Sequence, residues 1–106
     1  MKTSQILEWL RKASPTLQVK IQHKEYGVLP VGNVYHEPPR TFLQEAKEEG
    51  VYSNVKGLLE RLESIDATVP FDADLTSGDD WNFQEVQSVF ESEGKVLIQI
   101  SDPVFN

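Results

Sequence analysis

The chain has 106 residues, a net charge of -7 and no cysteine. This length suits one domain with its own hydrophobic core, and 39% hydrophobic with 25% charged residues is typical of folded globular chains. We therefore expect a single compact domain over residues 1–106. The absence of cysteine excludes disulfides, thiolate metal sites and cysteine nucleophiles, and it favours a cytoplasmic location.

The first half of the chain predicts one helix and two strands. Residues 4–13 place apolar side chains at helical spacing, with Thr3 or Ser4 available as the N-cap. Residues 17–23 alternate apolar and polar side chains, which predicts a strand. Residues 28–36 predict a second strand. Because Pro30 has no N–H to donate, we expect this strand at a sheet edge, with a tighter hairpin at residues 32–33 as the alternative.

The middle of the chain predicts a stiff connector followed by two helices. The connector, residues 36–40, contains two prolines, each of which disfavours helix in the residue before it. Residues 41–50 begin with the spacing of a capping box and end at a glycine, which predicts a helix. Residues 53–63 predict the next helix, capped by Ser53. Its apolar stripe consists of Val55, Leu58, Leu59 and Leu62.

The last part of the chain predicts a short strand, a loop, a helix and a final strand. The strand covers residues 67–71, and the loop covers residues 72–78. A helix follows from Asp79 or Asp80 to Gly94, and residues 95–101 alternate as a strand. The full order is α-β-β-α-α-β-α-β. We expect an α+β fold with a mostly antiparallel sheet of about four strands and helices on one face. No internal repeat is apparent.

The charge is distributed unevenly along the chain. Residues 1–47 carry seven basic and four acidic side chains, whereas residues 48–106 carry three basic and thirteen acidic ones. Residues 65–94 contain eight carboxylates and no lysine or arginine. Three interpretations compete: a solvated face that maintains solubility, a cation site, or a surface for a basic partner.

The cation site is the weakest interpretation. In residues 72–80 the calcium-loop register places Ser77 where glycine is required, and Phe83 where a bidentate glutamate is required. The two histidines, His23 and His36, belong to opposite ends of a predicted hairpin and do not form a metal or catalytic site. We therefore predict no enzyme activity, no catalytic or metal-binding residues and no cofactor.

The partner interpretation is favoured because aromatic side chains alternate with the carboxylates. A charge-ringed exposed aromatic residue is a common anchor in protein interfaces. The sequence predicts a small interaction protein, an inhibitor or adaptor, whose acidic face over residues 66–93 docks on a basic surface of a protein partner and imitates nucleic acid. The expected contacts are Asp72, Asp74, Asp79, Asp80, Trp81, Glu85, Glu91 and Glu93.

Two other functions remain open. The first is a nucleic-acid-binding module that uses a basic face on the N-terminal strands, although so acidic a chain makes direct binding of nucleic acid a minor alternative. Its residues would be Arg11, Lys12, Lys20, Lys24 and Arg40, with Tyr26 and Tyr35. The second is a non-catalytic accessory subunit that uses the polar cluster of His36, Glu37 and Arg40. The oligomeric state does not follow from the sequence.

Overall fold

A computed structural model describes residues 1–23, 27–79 and 81–101 of the chain. These residues form two helices and six strands. In chain order they are α1 (Thr3–Lys12), β1 (Gln18–His23), β2 (Gly27–Glu37), β3 (Arg40–Glu45), α2 (Val55–Asp66), β4 (Asp74–Gly78), β5 (Phe83–Ser92) and β6 (Lys95–Ile100). Neither helix has the length and apolarity required to cross a membrane.

The six strands close into a barrel of mixed direction. Consecutive strands within β1–β2–β3 and within β4–β5–β6 pair antiparallel. The two remaining pairs, β3 with β4 and β6 with β1, are parallel. Two parallel seams therefore join two antiparallel three-stranded units into one closed sheet.

The predicted fold with about four strands is wrong in strand number and element order, and its sheet is mixed, with four antiparallel and two parallel strand pairs. The observed order is α-β-β-β-α-β-β-β. Two predicted helices are strands, because residues 41–50 contain most of β3 and residues 79–94 contain β5. The predicted strand at residues 67–71 follows the end of α2 without forming a strand, and the predicted loop at 72–78 contains β4.

The order shows that the chain contains two similar αβββ units, one within residues 1–50 and one within residues 51–101. The units also share a strand irregularity. The register of β2 shifts between Val31 and Asn33, and the register of β5 shifts at the matching place, between Val86 and Ser88. The helices match in sequence as well, since residues 5–10 read QILEWL and residues 57–62 read GLLERL. This repeat is not apparent from the sequence alone. It becomes evident once the strands of the first unit are matched with those of the second.

Each unit pairs the segment before its helix with the other unit. Thr3 N donates to Ala73 O at 2.9 Å, and its counterpart Val55 N donates to Leu17 O at 2.9 Å. The backbone of Leu75 and that of Val19 make the matching second bonds, to Met1 O at 2.9 Å and Ser53 O at 2.8 Å. The two helix starts are therefore fixed by exchanged hydrogen bonds between the units.

Both helices pack their apolar stripes on one core that the barrel also lines. The predicted helices at residues 4–13 and 53–63 are confirmed as α1 and α2. In the predicted stripe of α2, Leu59 is only partly buried. The core consists of Ile6, Leu7, Leu10, Val19, Ile21, Val31, Val34, Leu43, Val55, Leu58, Leu62, Ile65, Leu75, Val86, Val89, Val96, Ile98 and Ile100.

The helix starts differ from the prediction. The N-cap of α1 is Lys2, and the N-cap of α2 is Asn54, whose side chain accepts a hydrogen bond from Gly57 N at 2.8 Å. Ser53, the predicted cap, instead donates its hydroxyl to Val31 O at 2.9 Å. The serine therefore ties α2 to β2.

Pro30 lies inside β2, so the predicted edge position is wrong. β2 pairs with β1 on one side and with β3 on the other. The proline is tolerated because the register of β2 with β3 shifts immediately after it, while its carbonyl accepts a hydrogen bond from Ala46 N at 2.8 Å. The alternative hairpin at residues 32–33 is this register shift rather than a turn.

Candidate partner-binding site

The turn between β4 and β5 is held by several hydrogen bonds. Gly78 begins it with φ +107°, a conformation that favours glycine. The Asp79 carboxylate accepts hydrogen bonds from Trp81 N and Asn82 N, both at 2.9 Å, and Asp79 N donates to Asn82 O at 2.9 Å. Asp79 therefore fixes a turn rather than capping the helix that the sequence predicts. Asp80 lies outside the described residues.

This turn presents Trp81 to solvent. The side chain is 92% exposed. Phe83, two residues further along, is the half-buried first residue of β5. The guanidinium of Arg40 lies 4.3 Å from the centre of the Phe83 ring, within range of a cation–π interaction. We call the described residues Gly78, Asp79, Trp81, Asn82 and Phe83 the hairpin tip.

Glu85 lies close to the hairpin tip along β5. Side chains two residues apart on a strand point to the same face, so Glu85 projects on the same side as Phe83, about 7 Å further along. It pairs with Thr76 of β4 and is exposed. Glu85 therefore adds a negative charge on β5 close to the hairpin tip.

Asp72 and Asp74 hold the start of α1 in place. The Asp72 carboxylate accepts hydrogen bonds from Ser4 N at 2.9 Å and from the Ser4 hydroxyl. These bonds lower the pKa of Asp72 below its ordinary value of 3.8, because they stabilise the ionised form. Asp74 forms an ion pair with Lys2 at 2.9 Å. Both carboxylates therefore have a structural role, although both are exposed.

Glu91 and Glu93 lie at the far end of β5 from the hairpin tip. Glu93 forms the β5–β6 turn with Gly94, and both residues have positive φ, 52° and 76°. The ten residues of β5 span about 30 Å. The eight predicted contact residues are therefore not gathered into one patch: Asp79, Trp81 and Glu85 lie together, Asp72 and Asp74 support α1, and Glu91 and Glu93 lie at the opposite end.

The basic residues of the two alternative functions are engaged with other groups. Arg11 pairs with Glu63 at 3.2 Å, Lys12 with Glu8 at 3.5 Å and Lys20 with Glu49 at 3.0 Å. Lys24 and Tyr26 lie outside the described residues, whereas Tyr35 stacks on Phe42 with ring centres 5.2 Å apart. These contacts disfavour a basic face for nucleic acid.

The residues of the accessory-subunit alternative, His36, Glu37 and Arg40, do not form one polar cluster. Glu37 pairs with Arg40 across the β2–β3 hairpin. The neighbouring His36 instead contacts the Thr41 hydroxyl at 3.0 Å and the Phe71 ring, with ring centres 5.8 Å apart. His36 therefore belongs to packing within the fold.

Sequence reasoning missed two features of the site. The Arg40–Phe83 contact joins residues far apart in the sequence, so no local pattern reveals it. The β4–β5 turn has a local signal, Gly78 followed by Asp79, which is typical of turns. The sequence instead predicts a helix start here, because Trp81, Val86, Val89 and Phe90 lie near one face of a helix.

Comparisons with known proteins find no matching family model, curated protein or solved structure. Within residues 1–23, 27–79 and 81–101, no three histidine, aspartate or glutamate side chains are grouped so that they could hold a metal ion.

Proposed function

We propose that this protein is a non-enzymatic binding protein, an inhibitor or adaptor of the cytoplasm, that docks its hairpin tip on a basic surface of a protein partner. The observation that carries the proposal is the 92% exposure of Trp81 on a turn held by hydrogen bonds. Asp79 lies in the same turn, and Glu85 lies close to it on β5. The cytoplasmic location rests on the absence of cysteine from the sequence.

The geometry of Trp81 favours binding for two physical reasons. Burying a tryptophan side chain in an interface removes a large apolar surface from water, and tryptophan is enriched among the residues that dominate binding energy. A turn already held in one conformation loses little entropy on binding. Trp81 therefore has the properties of an anchor residue.

The charge of the second half of the chain favours a basic partner. Residues 48–106 carry three basic and thirteen acidic side chains, and a negative field attracts a positive surface and speeds association. A basic surface of this kind is typical of proteins that bind nucleic acid. Occupying it would block nucleic acid, which is how the protein would act as an inhibitor.

The proposal is tested by comparative capture from an extract of the native host, followed by affinity measurement with the identified partner. We expect Trp81→Ala to weaken binding by about 2 kcal/mol, roughly 30-fold, because it removes the anchor. Val51→Ala is the matched control, since Val51 is an apolar side chain, 77% exposed, outside the hairpin tip. It should bind like the wild type.

The charge component has its own test. Glu85→Lys reverses a charge close to the hairpin tip without touching the hydrogen bonds of the turn. We expect it to slow association severalfold at low salt, and we expect wild-type affinity to fall as salt rises. A partner that binds Trp81→Ala as tightly as the wild type, or whose affinity is indifferent to both salt and Glu85→Lys, would contradict the proposal.

A further inference from the structure

A second surface feature lies at the opposite end of β5 from the hairpin tip. It is a cavity of about 460 Å³ between α1 and the end of β5. Its volume is within the range of small-ligand sites. We call it the α1 groove. Its lining consists of Gln5, Glu8, Trp9, Lys12, Ala13, Ser14 and Glu91.

The lining of the α1 groove is suited to an organic cation. Trp9 is the aromatic side chain with the strongest attraction for cations, and Glu8 and Glu91 supply two carboxylates. Lys12 offsets one of them, because its ammonium lies 3.5 Å from the Glu8 carboxylate. The groove therefore keeps an excess of one negative charge beside an indole.

The matching place, between α2 and β2, is filled by the protein's own cation. Arg61 on α2 corresponds to Trp9 on α1. Its guanidinium group donates through Nε to Val34 O of β2 at 2.9 Å and lies 6.0 Å from the centre of the Tyr52 ring. The position that corresponds to Glu91 is His36, which packs against Phe71. The place between α2 and β2 thus contains a guanidinium, whereas the matching place between α1 and β5 contains a cavity with cation-binding groups.

We propose that the α1 groove binds the guanidinium or ammonium group of an arginine or lysine side chain on the protein partner. The assignment of this side chain to a partner rests on the proposed function, whose partner has a basic surface. Because β5 is about 30 Å long, contact with both the groove and the hairpin tip requires a partner that spans this distance, as the surface of a folded protein does.

The groove is tested with a small probe in the absence of a partner. N-acetyl-arginine amide is titrated against the full chain by NMR, with N-acetyl-citrulline amide as the neutral probe of the same shape. The chain has two tryptophans, and Trp81→Phe assigns the indole N–H signals. We expect arginine amide to shift the Trp9 signal with a millimolar dissociation constant, and citrulline amide to bind at least about fivefold more weakly.

Matched glutamine variants test the carboxylates. We expect Glu91→Gln and Glu8→Gln each to weaken arginine amide about three- to fivefold. Glu60→Gln is the control, because Glu60 is the exposed counterpart of Glu8 on α2 and does not line the groove. Equal binding of the two probes, a shift confined to Trp81, or unchanged binding in both groove variants would overturn the proposal.

The two proposals fail separately. Probe binding depends on the groove alone, whereas the loss of partner affinity caused by Trp81→Ala reports on the hairpin tip. With an identified partner, Glu91→Gln should weaken the complex about fivefold while Glu60→Gln leaves it unchanged. If Trp81→Ala abolishes capture and Glu91→Gln has no effect on it, the hairpin tip is supported and the α1 groove is not a partner site.

Discussion

Single carboxylates in the acidic segment have distinct physical roles. Asp72 accepts two hydrogen bonds from Ser4 at the start of α1, and Asp79 accepts two from the backbone of the β4–β5 turn. Anionic groups are favourable near a helix N-terminus because they face the positive end of its dipole. A count of charges cannot separate such structural carboxylates from those available to a partner. The sequence therefore predicts that the segment is acidic, but it does not predict which carboxylates stabilise the fold and which can bind a partner.

The role of Asp72 predicts a pH-dependent stability. Its pKa is lowered in the folded chain, so its contribution is complete above its ordinary value of 3.8 and is lost as pH falls through the lower folded value. We expect Asp72→Asn to reduce the free energy of unfolding at pH 7 by about 1 kcal/mol. The difference from the wild type should disappear below the folded pKa, as urea denaturation at graded pH will show.

Two further variants make this prediction specific. Ser4→Ala removes the hydroxyl donor, so its effect should be smaller in the Asp72→Asn background than in the wild type. Glu85→Gln is the control for removing a charge from the exposed surface. A difference between Asp72→Asn and the wild type that stays constant from neutral pH to the acid range would contradict the assigned hydrogen bonds.

At the scale of elements, both helices and three of the six strands are predictable from local patterns, while β3, β4 and β5 are not. α1, α2, β1, β2 and β6 follow the patterns in their own residues, and the predicted strand at residues 28–36 is confirmed as β2. β5 does not, because its register shift brings Val86 and Val89 to the core three residues apart, the spacing of a helix. In β3, Thr41, Phe42 and Leu43 are all buried, so no polar alternation marks a strand. The same helical spacing hides the hairpin tip, because the helix predicted from β5 begins at Asp79 or Asp80 and so includes the turn.

Gly57 in α2 gives a prediction at this scale. A Cβ added there would lie 1.9 Å from Val51 O, whereas glycine allows the backbone to approach. Alanine normally stabilises a helix by about 1 kcal/mol relative to glycine. We expect Gly57→Ala to destabilise the protein instead, by about 1–3 kcal/mol in urea denaturation, because the clash is with backbone.

The control for this variant is Gly50→Ala. A Cβ at Gly50 would meet no atom within 4 Å, and its φ lies outside the range that disfavours side chains. It should leave the free energy of unfolding within about 0.5 kcal/mol of the wild type. A stabilising Gly57→Ala would show that Val51 can move away without cost.

At the scale of the whole molecule, the two αβββ units are joined too closely to act as separate domains. They share one core, two parallel strand pairs and the exchanged hydrogen bonds before the helices. These contacts are between residues remote in sequence, and for this reason the barrel could not be predicted from local patterns. Similarity between units is visible in the helices, where Leu7, Glu8 and Leu10 recur as Leu59, Glu60 and Leu62.

This arrangement predicts cooperative unfolding. In the Trp81→Phe background, Trp9 fluorescence reports on the first unit, while far-UV circular dichroism reports on both units. We expect the two urea transitions to coincide, because neither unit can keep its strand pairs when the other unfolds. Separate midpoints, or a plateau between two transitions, would show that one unit is stable alone.

Ring closure of the sheet also limits how other proteins can bind it. All six strands of the described chain have a neighbour on each side, but β2 from Val31 onward pairs only with β3, and β5 from Val86 onward pairs only with β6. Strand addition, a common mode of peptide capture, is therefore limited to these two half-strands, because elsewhere it would require breaking an existing ladder. Side chains are thus the main means of recognition over the rest of the barrel, and the absence of a long free strand edge disfavours fibril-like stacking of native molecules.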